Sequence, residues 1–260
     1  MCGLSMTALF GISGCSDQQK RQWRFRSAEE NYQAALDAEH PDARREGITR
    51  IAESYYVDSP RAFEVLDTVA RHDPNTQNRC IAIRAFSRYR DHRPVGTLLT
   101  ILQARPGSEE ALPANDEVRW EVARSLLDLK RKGVLNDEQA ILACELYLRM
   151  LETRPTRDVR LVSLEALGYF KDPKVFTPLI NALRGEKDFA VAYQAERSLV
   201  ALTGVSQAYD PEAWEEWLAN TDDPFAKAGQ IPPGMRPGGA SWWDQQQRLW
   251  RKALKLGEGN

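Results

Sequence analysis

From residue 27 to residue 202 the apolar side chains return every three or four positions, the spacing that lines one face of an α-helix. Residues 27–39 carry Tyr32, Ala35 and Leu36, and residues 42–57 carry Ile48, Ile51, Ala52 and Tyr55. Phe63, Leu66, Val69 and Ala70 mark a helix over 61–71, and a further one runs from 73 to about 90. Val95, Leu98, Leu99 and Leu102 mark 94–104. Helices over 117–132, 137–152, 158–170, 172–184 and 188–202 follow. No stretch alternates with the period of two that a half-buried strand needs. The expected class is all-α.

The ends of these elements are marked by local chemistry. Ser59-Pro60, Asp73-Pro74, Asp172-Pro173 and Asp210-Pro211 each place a capping side chain before a proline at the first helical position. Gly133, Gly185 and Gly204 are expected stops, because glycine tolerates the left-handed turn that ends many helices. Residues 105–116, rich in Pro, Gly and Glu, are expected to form a loop.

Superposing the segments shows a repeat. When Arg79, Arg119, Arg160 and Ala192 are aligned, three positions later stand Ala82, Val122, Ser163 and Ala195. Six positions later stand Ala85, Ser125, Ala166 and Ser198; at seven, Phe86, Leu126, Leu167 and Leu199. An earlier copy starts at Arg44. The spacing between copies, roughly 32 to 41 residues, suits a unit of two helices. The best copy runs from Asp158 to Phe170. Val118-Arg119, Val159-Arg160 and the proline in Val175-Phe176-Thr177-Pro178-Leu179 together resemble HEAT repeats. Asn78 and Ala192 depart from that pattern in the outer copies. The resemblance implies an α-solenoid of about five two-helix repeats over 27–204, with a generic helical bundle as the alternative. One such unit cannot bury its apolar faces alone; stacking builds a continuous core, and the ends need caps.

A cap is expected over 205–221, where Tyr209-Asp210-Pro211 with Trp214 and Trp217 resembles the closing tail of some bacterial envelope HEAT-repeat proteins. A Pro/Gly-rich linker over 222–240 and an amphipathic helix over 241–260 follow. Five of the seven tryptophans lie after residue 210, so that region is either the seal on the last repeat or an aromatic anchor. The residues concerned are Trp214, Trp217, Trp242, Trp243 and Trp250.

Composition changes this picture little in the body and much at the start. Lys+Arg 35 against Asp+Glu 37 leaves a net charge of -2, which gives no argument for a nucleic-acid partner. Residues 1–15 have a short apolar core, small residues before Cys15, and then an abrupt polar switch. Ile12-Ser13-Gly14-Cys15 resembles the lipobox of bacterial lipoproteins. That resemblance implies a signal peptide over 1–14, removal of it, and lipidation of Cys15, which anchors a chain to a membrane without spanning it. The stretch lacks the usual preceding positive charge, and the competing reading is a cytoplasmic N-terminus. Residues 15–26, with Lys20, Arg21, Arg24 and Arg26 interleaved with Trp23 and Phe25, form a polar, basic tether.

No motif supplies catalysis. His40, His72 and His92 fall at helix ends or turns and share no carboxylate cluster. Cys80 and Cys144 lie inside helices without metal-ligand spacing. No catalytic, metal or cofactor residue is therefore expected. The remaining constellation is a row holding Trp120 and Tyr193 beside a row holding Arg84, Arg124, Glu165 and Arg197. The two rows lie four positions apart on one helix face, off the core stripe. Two readings stand: a groove for an extended, partly acidic peptide or polymer, and a solvated face whose arginine stems cover the aromatics. The expected role is a membrane-anchored envelope scaffold for a protein partner of unknown identity and no stated oligomeric state. The alternatives are binding of a wall polymer through the aromatic tail and, on fold resemblance to bilin lyases alone, an enzyme.

Overall fold

A computed structural model describes residues 27–230, apart from 154, 185 and 186, together with residue 232. The expected signal peptide, the tether with Cys15, residues 231 and 233–240 of the linker, and the segment carrying Trp242, Trp243 and Trp250 lie outside the described residues. So does the expected stop at Gly185.

Among the described residues there are eleven α-helices, one short 3-10 turn and no strand. They are α1 (Ala28–Ala35), α2 (Pro41–Glu53), α3 (Pro60–His72), α4 (Thr76–Phe86), α5 (Arg93–Gln103) and α6 (Asp116–Arg131). Then come α7 (Asp137–Glu152), α8 (Arg157–Leu167), α9 (Phe176–Asn181), α10 (Phe189–Thr203) and α11 (Pro211–Ala219). Each odd helix through α9 packs on the even helix that follows it. The even helices α2, α4, α6, α8 and α10 also pack successively on one another. Among the odd ones, α1, α3, α5 and α7 do the same, and α9 meets α11. The apolar core runs between these two rows without a break, from Tyr32 to Trp214.

Local chemistry explains where the elements begin. Ser27 caps α1 in a reciprocal box with Glu30, and Asn136 does the same for α7 with Gln139. Two starts differ from the sequence reading. Asn75, not Asp73, caps α4: its side chain accepts from the backbone N–H groups of Gln77 and Asn78. Asp73 is drawn away by Arg44, whose Nε donates to it at 2.7 Å. The expected helix over 172–184 is divided. Asp172 caps a 3-10 turn over Pro173–Val175, and the α-helix restarts at Phe176. The restart puts Pro178 in a first turn, where its missing N–H has no intrahelical acceptor to lose.

Close approach between helices depends on small residues at two positions. A Cβ on Gly47 would stand 2.5 Å from the backbone nitrogen of Ala35. One on Gly168 would stand 3.0 Å from Ser198. At the far end, Gly204 closes α10 at a φ of 71°, and its neighbour is the Lys227 backbone. The described part of the expected linker is therefore packed. Phe225 stacks on Phe176 at 5.3 Å, and the Gly229 N–H donates to the Ala201 carbonyl at 2.8 Å.

Two glycine substitutions separate helix propensity from packing. Gly47→Ala is expected to lower stability by about 1–3 kcal/mol, because the backbones of α1 and α2 must part. Gly96→Ala, in α5 with nothing within 4 Å, is expected to raise it by about 0.5–1 kcal/mol. Urea unfolding of both variants measures the contrast.

Candidate binding cleft

The even helices carry most of the polar chemistry. Arg84 of α4 reaches Glu121 of α6 with two bonds, Nε to Oε1 at 3.0 Å and Nη2 to Oε2 at 2.6 Å. The hydrogen bond to Glu121 raises the Arg84 guanidinium above its ordinary pKa. The two partners are unequally placed: the Arg84 side chain is 65% exposed and that of Glu121 4%. Arg124 of α6 stands 3.5 Å from Glu165 of α8, and Arg131 also pairs with Glu165. The Arg131 guanidinium lies 4.8 Å from the centre of the Tyr169 ring. Arg197 lies 5.7 Å from that of Tyr193.

Of the expected basic row, Arg84 and Arg124 each pair with a carboxylate of the next even helix while staying exposed, and Arg197 stands over Tyr193. Trp120 and Tyr193 are both partly exposed, but they belong to separate surroundings. Tyr193 sits beside Phe189 at 6.0 Å and under Arg197. Trp120 lines a cleft at the N-terminal ends of α4, α6 and α8.

That cleft encloses about 590 Å³. Cys80, Ile81 and the Trp120 indole give it apolar walls, and the Arg84–Glu121 pair crosses it. Asp116, Glu117 and Asp158 also line it, with Thr76, Gln77 and Thr156. Asp116 pairs with Arg119 at 3.0 Å, while Glu117 and Asp158 have no ion-pair partner among the described residues. Four carboxylates thus face one guanidinium. Sequence spacing alone misses this set, because its members come from the starts of three helices about forty residues apart. The signal that marks it is the acidic first turns at Asp116-Glu117 and Asp158 next to a tryptophan.

The aligned arginines are only partly alike. Arg79 is buried and donates to the carbonyls of Ala70, Leu112 and Pro113 at 2.9–3.0 Å, so it clamps the loop before α6. Burial lowers its pKa from the usual value. Arg119 is exposed and bonds within its own first turn. His40 and His92 precede α2 and α5, and His72 ends α3. Among the described residues no three His, Cys, Asp or Glu side chains gather as a metal site. No helix among them is long and apolar enough to cross a membrane.

At the C-terminal end Trp214 is fully buried, and its Nε1–H donates to Glu196 at 2.8 Å. Glu196 is itself fully buried and also accepts from the Ser206 hydroxyl and the Tyr209 N–H. Trp214 therefore offers no surface to a ligand. Trp217 is half-buried and meets it edge-on at 5.7 Å.

Of the described residues, the two cysteines, Cys80 and Cys144, are held as thiols. Burial pushes Cys80 up to about 11 and Cys144 up to about 12. At pH 8 a thiol raised that far carries about 100-fold less thiolate than a free cysteine, so iodoacetamide is expected to label Cys80 about 100 times more slowly than a free thiol. Labelling followed by peptide mass mapping, native and in urea, checks this. The Arg84–Glu121 pair has its own test. Arg84→Met strands a buried carboxylate and is expected to cost about 1–2 kcal/mol in urea unfolding, the low end for a broken pair because Arg84 is exposed. Adding Glu121→Met is expected to restore most of it. Comparison with protein-family models and with curated proteins finds no match to this chain.

Proposed function

We propose that this chain is a non-catalytic protein-binding scaffold, a HEAT-like α-solenoid of about five two-helix repeats, held at an envelope membrane by a lipid on Cys15. The observation that supports the scaffold most directly is the pair of alternating helix rows. Even helices contact even helices and odd contact odd, while one core continues through all of them. An array of that kind presents a long surface whose side chains differ from copy to copy, and such variation suits recognition.

The division proposed with it is a signal peptide over 1–14, a tether over 15–26, the repeat body over 27–204, and a cap over 205–221. The buried Trp214–Glu196 contact favours the capping role for that last segment. The membrane attachment rests on Ile12-Ser13-Gly14-Cys15 and the apolar run before it.

Mass spectrometry of the N-terminus of the native protein is expected to find acylated Cys15. Cys15→Ser is expected to move the protein from the membrane fraction to the soluble one; an unmodified Met1 on soluble protein would overturn the anchor. In-cell cross-linking from positions on the even helices is expected to trap a saturable protein partner, and a body that traps none at any position is not a scaffold.

A further inference from the structure

The cleft between α4, α6 and α8 has a chemistry more specific than a general scaffold surface. Resting on the scaffold reading above, we propose that it receives a cationic segment of a partner protein, one with an arginine or lysine beside an aliphatic side chain. The walls of Cys80, Ile81 and Trp120 are apolar and take the aliphatic group. Trp120, 36% exposed and on the cleft lining, is the aromatic type that attracts a guanidinium or ammonium most strongly. Glu117 and Asp158 lie on the same lining without ion pairs, and they supply the countercharge.

Other occupants fit less well. An acidic segment would meet four carboxylates, while the one guanidinium present is already bound at two points to Glu121. The starts of α4 and α6 are met by Asn75 and Asn115, whose side chains accept from their first-turn N–H groups; the start of α8, at Thr156, has no side-chain cap but carries Asp158 in its first turn, whose charge opposes an anion there. First-turn acids do favour their own helix ends electrostatically. That role explains Glu117 and Asp158 as charges; it gives no reason for a partly exposed indole and an apolar wall beside them. A volume of about 590 Å³ falls within the range that holds a few side chains of a bound segment.

The test uses the purified full chain and three labelled synthetic peptides that alternate leucine with arginine, glutamate or serine. Fluorescence anisotropy is expected to show binding of the arginine peptide that weakens with salt, and no comparable binding of the other two. Glu117→Lys with Asp158→Lys is expected to weaken it at least about tenfold. Glu109→Lys with Glu145→Lys, the same charge change outside the cleft, is expected to leave it within about twofold. Bound arginine peptide is also expected to slow the labelling of Cys80 and not of Cys144. Failure of the arginine peptide to bind, equal binding of all three, or binding that survives the Glu117/Asp158 change overturns the proposal. Because peptide binding needs no native partner, it passes or fails independently of the cross-linking that tests the scaffold.

Discussion

Ser125 donates its hydroxyl to the carbonyl of Ile83 at 3.1 Å, and Ser198 does the same to Leu164 at 2.7 Å. Both bonds run from one even helix to the backbone of the one before it, from equivalent places in the repeat. They require the two backbones to come close, which only a small side chain allows. A leucine at either place would hold the helices apart and leave a carbonyl with one bond fewer. The same approach brings Gly168 against Ser198. Most of what distinguishes the even row follows from this spacing. Arg84 can span to Glu121 and Arg124 to Glu165 because α4, α6 and α8 stand near enough for side chains to cross.

Close stacking creates buried polar groups, and the molecule satisfies them differently along its length. Near the start, Arg44 is answered by Asp73 and by the carbonyl of Asp37. In the middle, Arg79 is answered by three carbonyls and no carboxylate, so a charge is buried on dipoles alone. At the far end the buried charge is negative: Glu196 rests on a hydroxyl, an indole and a backbone N–H. In each case the ion fastens a connecting segment to the helices it joins. Removing one partner would leave the other unsolvated, which makes these three residues more sensitive than exposed ion pairs such as Arg45–Asp42 and Arg61–Glu64.

Much of the fold was legible because it depends on short-range pattern. Helical period, capping side chains and Pro at first turns placed nearly every element, and the alignment put Ser125 and Ser198 at one structural position. What stayed hidden required partners distant in sequence. Asp73 before Pro74 reads as the cap, and the structure gives that place to Asn75 because Arg44 binds Asp73. Pro178 is compatible with a bent helix or a restarted one, and the choice falls to packing around Phe176, which is stacked on Phe225. Residues 222–230 have the composition of a linker, yet one aromatic stack and one backbone bond to Ala201 hold them to the body.

The arginines of the candidate surface have partners that their own segments do not reveal, and the cause is general. Arginines at equal places in a repeat look like a basic stripe when each copy is taken separately. In a row of packed helices each helix faces its neighbour as well as solvent, and a carboxylate one helix on can pair with such an arginine. Glu121 does so for Arg84, two places after the aligned Arg119 and buried to 3% exposure. What remains unpaired is the charge that finds no neighbour. At the cleft that remainder is Glu117 and Asp158, at helix starts where no next-copy arginine reaches. Where helices stack in rows, the charge left at a surface is set by which side chains the neighbouring helix leaves unpaired and not by which charges each helix contains.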